Sequence, residues 1–115
     1  MRQSIVIVAN TSWYLFNFRL GLLRGLLDEG YRVTTLAPKD DSSSKLEEVG
    51  CRFIHLPMDN QGLNPLADFR LRKRLQSTYK TLSPDLAIHY TVKPVLYGSL
   101  AAASLNISFV NNITG

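Results

Sequence analysis

A single cysteine, Cys51, stands among 115 residues, so no internal disulfide forms, and the usage suits a reducing compartment. No apolar stretch is long enough to span a bilayer, and Met1-Arg2 before a very short apolar run does not have the form of a secretory signal. The three Asn-x-Ser/Thr sequons, at Asn10, Asn106 and Asn112, then read as incidental. No Gly-x-Gly-x-x-Gly follows the first apolar run, which excludes a dinucleotide fingerprint, and there is no Walker A sequence. Cysteine and histidine are too few and too scattered for a metal cluster, so no metal is expected. Paired acids after the first strand would suit a receiver domain, but Ala9-Asn10 supplies none. Charge of either sign is modest. The net +4 suits an anionic partner or surface, and nothing points to nucleic acid.

What is present is alternation. Ile5 to Ala9 is a β-branched run fit for a buried strand, followed by a polar-aromatic break, Asn10 to Tyr14, and a leucine-rich helix ending at Gly30. Tyr31 to Ala37 reads as a second strand. Ser44-Lys45-Leu46-Glu47 reads as a capping box opening a short helix closed by Gly50. Cys51 to Leu56 reads as a third strand near a sheet edge, and Asp59 to Leu63 as a polar loop. Asn64-Pro65 is a strong helix start, and the helix runs to about Leu82, before Ser83-Pro84-Asp85. Leu86 to His89, a helix from Pro94 to about Leu105 rich in Gly and Ala, and Ser108 to Asn111 complete the order.

Repeated strand-helix units give an α/β fold: a Rossmann-like αβα sandwich on a parallel sheet of about five strands, in the order 3-2-1-4-5. Ligands of such sheets bind outside the carboxyl ends of the strands, where the order reverses. Here that crevice lies between strands one and four. Asn10, Thr11, Ser12, Trp13 and Tyr14 would line one side, and His89 to Lys93, with Thr91 between them, the other. Asn112 to Gly115 would lie adjacent.

Several residues carry two readings. On a helical projection Phe16, Leu20, Leu23 and Leu27, extended by Leu15, Phe18, Leu22 and Leu26, form an apolar arc of roughly 200°. Arg19 falls inside it, near the helix start, where the helix dipole disfavours a cation. It either snorkels to the rim of the sheet or enters the crevice and meets an anion such as phosphate. His89 is either a strand-end histidine satisfied by a backbone carbonyl or a group facing the ligand. Trp13 and Tyr14 either cap the core or stack on a sugar ring. Ser12 and His89 lack an acid placed to complete a catalytic triad. In the long helix Leu66, Phe69, Leu75, Tyr79 and Leu82 give an approximate apolar face, and Arg70, Arg72, Lys73, Arg74 and Lys80 a basic one. The basic face is either solvated or drawn to anionic lipid headgroups.

The opening Val8-Ala9-Asn10-Thr11-Ser12-Trp13-Tyr14-Leu15-Phe16-Asn17-Phe18-Arg19 resembles the amino-terminal domain of family 4 glycosyltransferases. These are retaining enzymes of the GT-B fold, and the likeness is nearest to the branch that builds bacterial surface polysaccharides. Ser83-Pro84-Asp85, His89-Tyr90-Thr91-Val92-Lys93-Pro94 with Tyr97-Gly98, and Asn111-Asn112-Ile113-Thr114-Gly115 match two further stretches in the right order. One departure stands out. Many members carry a Gly-Gly pair where this chain has Thr11-Ser12.

The resemblance implies a sugar moved from a nucleotide-sugar donor to a lipid-linked saccharide, in capsule, O-antigen or exopolysaccharide synthesis. It requires no cofactor beyond the donor itself. The first loop and Arg19 would help bind substrate phosphates, and His89 would contact the transferred sugar. Lys93 and the Thr114-Gly115 loop would border the cleft. It further implies that the chain is an acceptor-side domain truncated before the nucleotide-sugar domain, inactive alone. The setting would be cytoplasmic, on the inner face of the plasma membrane, with a sheet edge at strand five open to pairing as a dimer. A non-catalytic membrane-recruiting subunit of a split transferase and a flavodoxin-like binding domain are the alternatives.

Overall fold

The computed structural model describes residues 3–59 and 64–112. In chain order the elements are β1 (Ser4–Val8), α1 (Ser12–Phe18), α2 (Leu20–Asp28), β2 (Arg32–Ala37), α3 (Ser43–Val49) and β3 (Arg52–His55). They continue with α4 (Pro65–Leu82), β4 (Leu86–Tyr90), a π-helical turn (Pro94–Gly98), α5 (Ser99–Ser104) and β5 (Phe109–Asn112). The five strands form one sheet in the order β3-β2-β1-β4-β5, every pairing parallel. This is the expected order, with the reversal between β1 and β4.

The central strands are buried on both faces, as a parallel sheet covered by helices requires. Alternate residues therefore enter two cores. Ile5, Ile7, Leu15, Leu23 and Val33 pack on the face of α1, α2 and α3, whereas Val6, Val8, Leu36, Leu71, Leu75 and Tyr79 pack on the face of α4 and α5. At the start of α4 the Asn64 side chain accepts from the Ala67 amide at 3.2 Å, with Pro65 in the first turn.

Four local expectations change. The leucine-rich helix is two helices, broken at Arg19, whose φ of −125° and ψ of 14° leave the helical region. Phe18 and Leu22 consequently lie exposed rather than in the buried arc. The capping box at Ser44 does not form: α3 starts at Ser43, and Asp40 organises its entry by accepting from the Ser42 amide while the Asp40 amide donates to Ser43 Oγ. Leu66 and Phe69 point outward, leaving Leu71, Leu75 and Tyr79 as the core face of α4. Finally, the helix after Pro94 opens with a π-helical turn, in which the Ser99 hydroxyl donates to the Val95 carbonyl. The end of the polar loop, 60–63, lies outside the described residues.

Candidate functional site

The register pairs Val8 with His89, so the loops leaving β1 and β4 emerge side by side at the carboxyl edge of the sheet. Asn112 ends β5 opposite Tyr90 and is exposed there. The loops expected from topology to line the crevice therefore lie side by side. Their residues, however, divide into those holding the loops and those facing outward.

In the first loop the hydroxyls are committed to structure. Thr11 is the cap of α1, its Oγ1 accepting from the Tyr14 amide at 3.0 Å. Ser12 is fully buried; it donates to the Pro38 carbonyl and accepts from Ser43 Oγ, both at 2.9 Å. These bonds, with the Trp13 amide donating to Asp40 at 3.0 Å, tie the first loop to the loop after β2. A buried hydroxyl requires such partners, so Ser12 is a brace. Asn10 sits half-buried between the strand and this brace. Trp13 is 53% exposed and meets Phe18 edge-on at 5.4 Å, so it presents a ring to solvent rather than capping the core.

Arg19 reaches across to the second wall. Its guanidinium carbon lies 4.6 Å from the centre of the Tyr90 ring and 5.5 Å from that of Tyr14, and Nη2 donates to the Tyr14 hydroxyl at 2.9 Å. Its Nε is buried without a hydrogen-bond partner among the described residues. Beyond Tyr90, Thr91 takes a φ of 69°, a left-handed conformation rare for a β-branched residue, with its hydroxyl donating to the Tyr90 carbonyl. Strain of this kind collects at functional turns.

Lys93 faces the other side of the sheet. It pairs with Asp68 of α4 at 2.8 Å and donates to the Asp59 carbonyl, while Tyr97 donates to the other Asp68 oxygen at 3.1 Å. The Lys93 hydrogen bond holds the Asp68 carboxyl below its usual range. Lys93 and Arg19 thus flank the crevice separately, one neutralised and the other without an ion-pair partner among the described residues.

His89 is not at the surface. The ring is fully buried, with Nε2 2.7 Å from the Tyr79 hydroxyl and Nδ1 2.9 Å from Asn111 Oδ1, which also lies 3.0 Å from Ser99 Oγ. Asn111 Oδ1 can only accept, so Nδ1 carries the proton and Nε2 accepts from Tyr79. Burial holds this imidazole below its ordinary pKa, against a smaller upward pull from the bond to Asn111. A neutral, fully bonded ring fixes the end of β4 against α4 and β5. With both nitrogens engaged inside the protein, the ring offers no free polar atom to a sugar. Its partners are side chains, not the expected backbone carbonyl.

Tyr90 in the loop run, Tyr79 on the apolar face of the long helix, Asn111 at the end of the fifth strand and the small Gly98 were each visible in the sequence, but their contacts were not: Tyr90 under Arg19, and Tyr79, Asn111 and Gly98 around His89. Cys51 is buried, its thiol pushed up to about 11, so it is no nucleophile at neutral pH. Thr114 and Gly115 lie outside the described residues. No group of three or more metal-ligating side chains occurs among the described residues.

Residues 4–115 match the sequence profile of a family described as Glycosyl transferase 4-like. The chain belongs to that family. Among curated proteins it is similar to the N,N'-diacetylbacillosaminyl-diphospho-undecaprenol alpha-1,3-N-acetylgalactosaminyltransferase of Campylobacter jejuni, at 25% identity over 95 residues. The alignment covers 83% of this chain and 25% of that relative. Among solved structures, a glycosyltransferase from Rickettsia africae superposes with a TM-score of 0.74 at 16% identity, covering 96% of this chain and 29% of that one. MurG from Acinetobacter baumannii gives the same TM-score at 18% identity, covering 98% and 34%. The structural likenesses establish the fold. This glycosyl transferase 4-like chain spans about a quarter of the curated relative's length.

Proposed function

We propose that this chain is the amino-terminal part of a retaining glycosyltransferase that moves a sugar from a nucleotide-sugar donor to a lipid-linked saccharide in surface-polysaccharide synthesis. The family match along residues 4–115 carries this reading. The curated relative, whose name specifies transfer to a diphospho-undecaprenol-linked sugar, supports the acceptor class. The chemistry falls to Arg19, a cation with no carboxylate against it among the described residues, at the sheet edge where phosphate-bearing substrates bind in open α/β folds. Asn10 and Trp13 on one side and Thr91 and Asn112 on the other would line the same crevice, and His89 would act by holding Asn111 and the end of β4 in place. The nucleotide would be held mainly by a second domain, with side chains and helix dipoles stabilising the leaving phosphate. Supplying the complete gene product with labelled nucleotide sugar and a lipid extract tests this. Label moves into lipid if the proposal holds, and failure with every donor tried removes it.

The outer face of α4 supports a peripheral contact with the inner leaflet. Leu66 and Phe69 are exposed beside Arg70, Lys73 and Arg74, with the Lys73 ammonium 5.4 Å from the centre of the Phe69 ring. No helix among the described residues is long and apolar enough to cross a membrane. Each basic residue near an anionic surface contributes up to about 1 kcal/mol. The complete gene product is expected to sediment with vesicles containing phosphatidylglycerol, and Arg70→Glu with Lys73→Glu to abolish that. Equal sedimentation with purely zwitterionic vesicles would contradict the electrostatic part.

A further inference from the structure

We infer that Tyr14 and Tyr90 form an aromatic clamp that holds the Arg19 guanidinium as a preformed fork for a phosphate or diphosphate group of the substrate. This deepens the proposed function and rests on it. The clamp starts in the backbone. At Arg19 the chain leaves helical geometry, yet the Arg19 amide still donates to the Leu15 carbonyl at 3.0 Å and the Leu23 amide to the Arg19 carbonyl at 3.1 Å. The kink is thus fixed on both sides rather than frayed, and it turns the side chain over the end of β4.

The two rings lie 5.9 Å apart at 49°, a wedge with the guanidinium against both. Tyr90 is 3% exposed within the α1 and α2 core, so the platform under Arg19 is as immobile as the core itself. A planar guanidinium suits an aromatic face, as an ammonium does not. Of its five N–H donors the Tyr14 hydroxyl accepts one, and Nε is buried without a partner among the described residues. A snorkelling arginine would leave all its nitrogens in water. This one is half-buried, lacks a carboxylate within ion-pair distance among the described residues, and keeps a buried donor unsatisfied. That combination disfavours the free state and favours a site awaiting an oxyanion, to which the guanidinium brings a planar fork of donors. Tyr14 and Tyr90 are therefore positioning residues. They hold the group that touches substrate, and pre-orientation lowers the ordering penalty on binding.

The test uses the complete gene product, with inorganic diphosphate titrated calorimetrically and steady-state kinetics measured in parallel. Tyr90→Leu removes the ring at similar apolar bulk and is expected to weaken diphosphate binding and raise KM about tenfold, with kcat little changed. Tyr90→Phe, which keeps the ring, recovers most of that loss. Tyr14→Phe is a mild change at a half-buried position and weakens diphosphate about threefold through the lost acceptor. A KM rise confined to the nucleotide sugar assigns the clamp to the donor phosphates, and one confined to the lipid substrate assigns it to the acceptor diphosphate. Wild-type diphosphate affinity in both Tyr14→Phe and Tyr90→Leu overturns the clamp. Should Tyr90→Leu not fold, unchanged affinity in Tyr14→Phe alone overturns it. Because the titration needs no turnover, failure of the transferase reading and failure of the clamp are separate results.

Discussion

Gly98→Ala is expected to destabilise the fold by about 2–4 kcal/mol, more than alanine at any other described glycine. A Cβ built on Gly98 would lie 2.4 Å from His89 Nε2 and 2.5 Å from Cδ2. The ring cannot move aside cheaply, because Tyr79 and Asn111 hold its two nitrogens and it is fully buried. Displacing it breaks the bond to Tyr79 and strands that buried phenol, whose pKa burial already raises far above its usual value. Gly25→Ala is the matched control. The same added methyl meets nothing within 4 Å inside α2, where alanine favours the helix by about 0.5–1 kcal/mol. Urea unfolding of both variants of the complete gene product checks the pair. Equal, small effects would contradict the close packing of Gly98 on His89.

Arg19→Ala is expected to lower transfer by roughly ten- to a hundredfold, the loss of about 1.5–3 kcal/mol of charge-assisted hydrogen bonding. Stability should move by less than about 1 kcal/mol, because the lost stacking on Tyr90 is offset by removing a half-buried cation that has no counter-ion among the described residues. Arg19→Lys should not restore activity, since an ammonium neither stacks as a plane nor donates as a fork. A large stability loss with unchanged KM would return Arg19 to a structural role. This separation of function from stability is characteristic of a side chain kept for a ligand.

The sheet was legible because each strand is a short apolar run bounded by turn residues, and the helices between them force parallel pairing. Gly30 and Gly50, at φ of 91° and 122°, end α2 and α3 as their positions suggest. The helix break was not legible. Hydrogen bonds persist on both sides of Arg19, so the leucine spacing runs through the kink with no change of period. Nor was the burial of His89, because its partners lie 10 residues before it and 22 after, and only packing of α4 and β5 on β4 joins them. Ser12 shows the same limit in reverse. A hydroxyl in a ligand loop looks available until Pro38 and Ser43 are seen to hold it. Topology thus brought the loops after β1 and β4 together from sequence alone, while the division of their residues between buried braces and outward-facing side chains needed coordinates.

The most direct test of the central claim follows a labelled sugar. The complete gene product would be incubated with a labelled nucleotide sugar and a membrane lipid extract, wild type beside Arg19→Ala. The account predicts label in the lipid-extractable fraction, dependent on both donor and extract and sharply reduced in the variant. Label recovered only as free sugar, or transfer unaffected by the loss of Arg19, would contradict it.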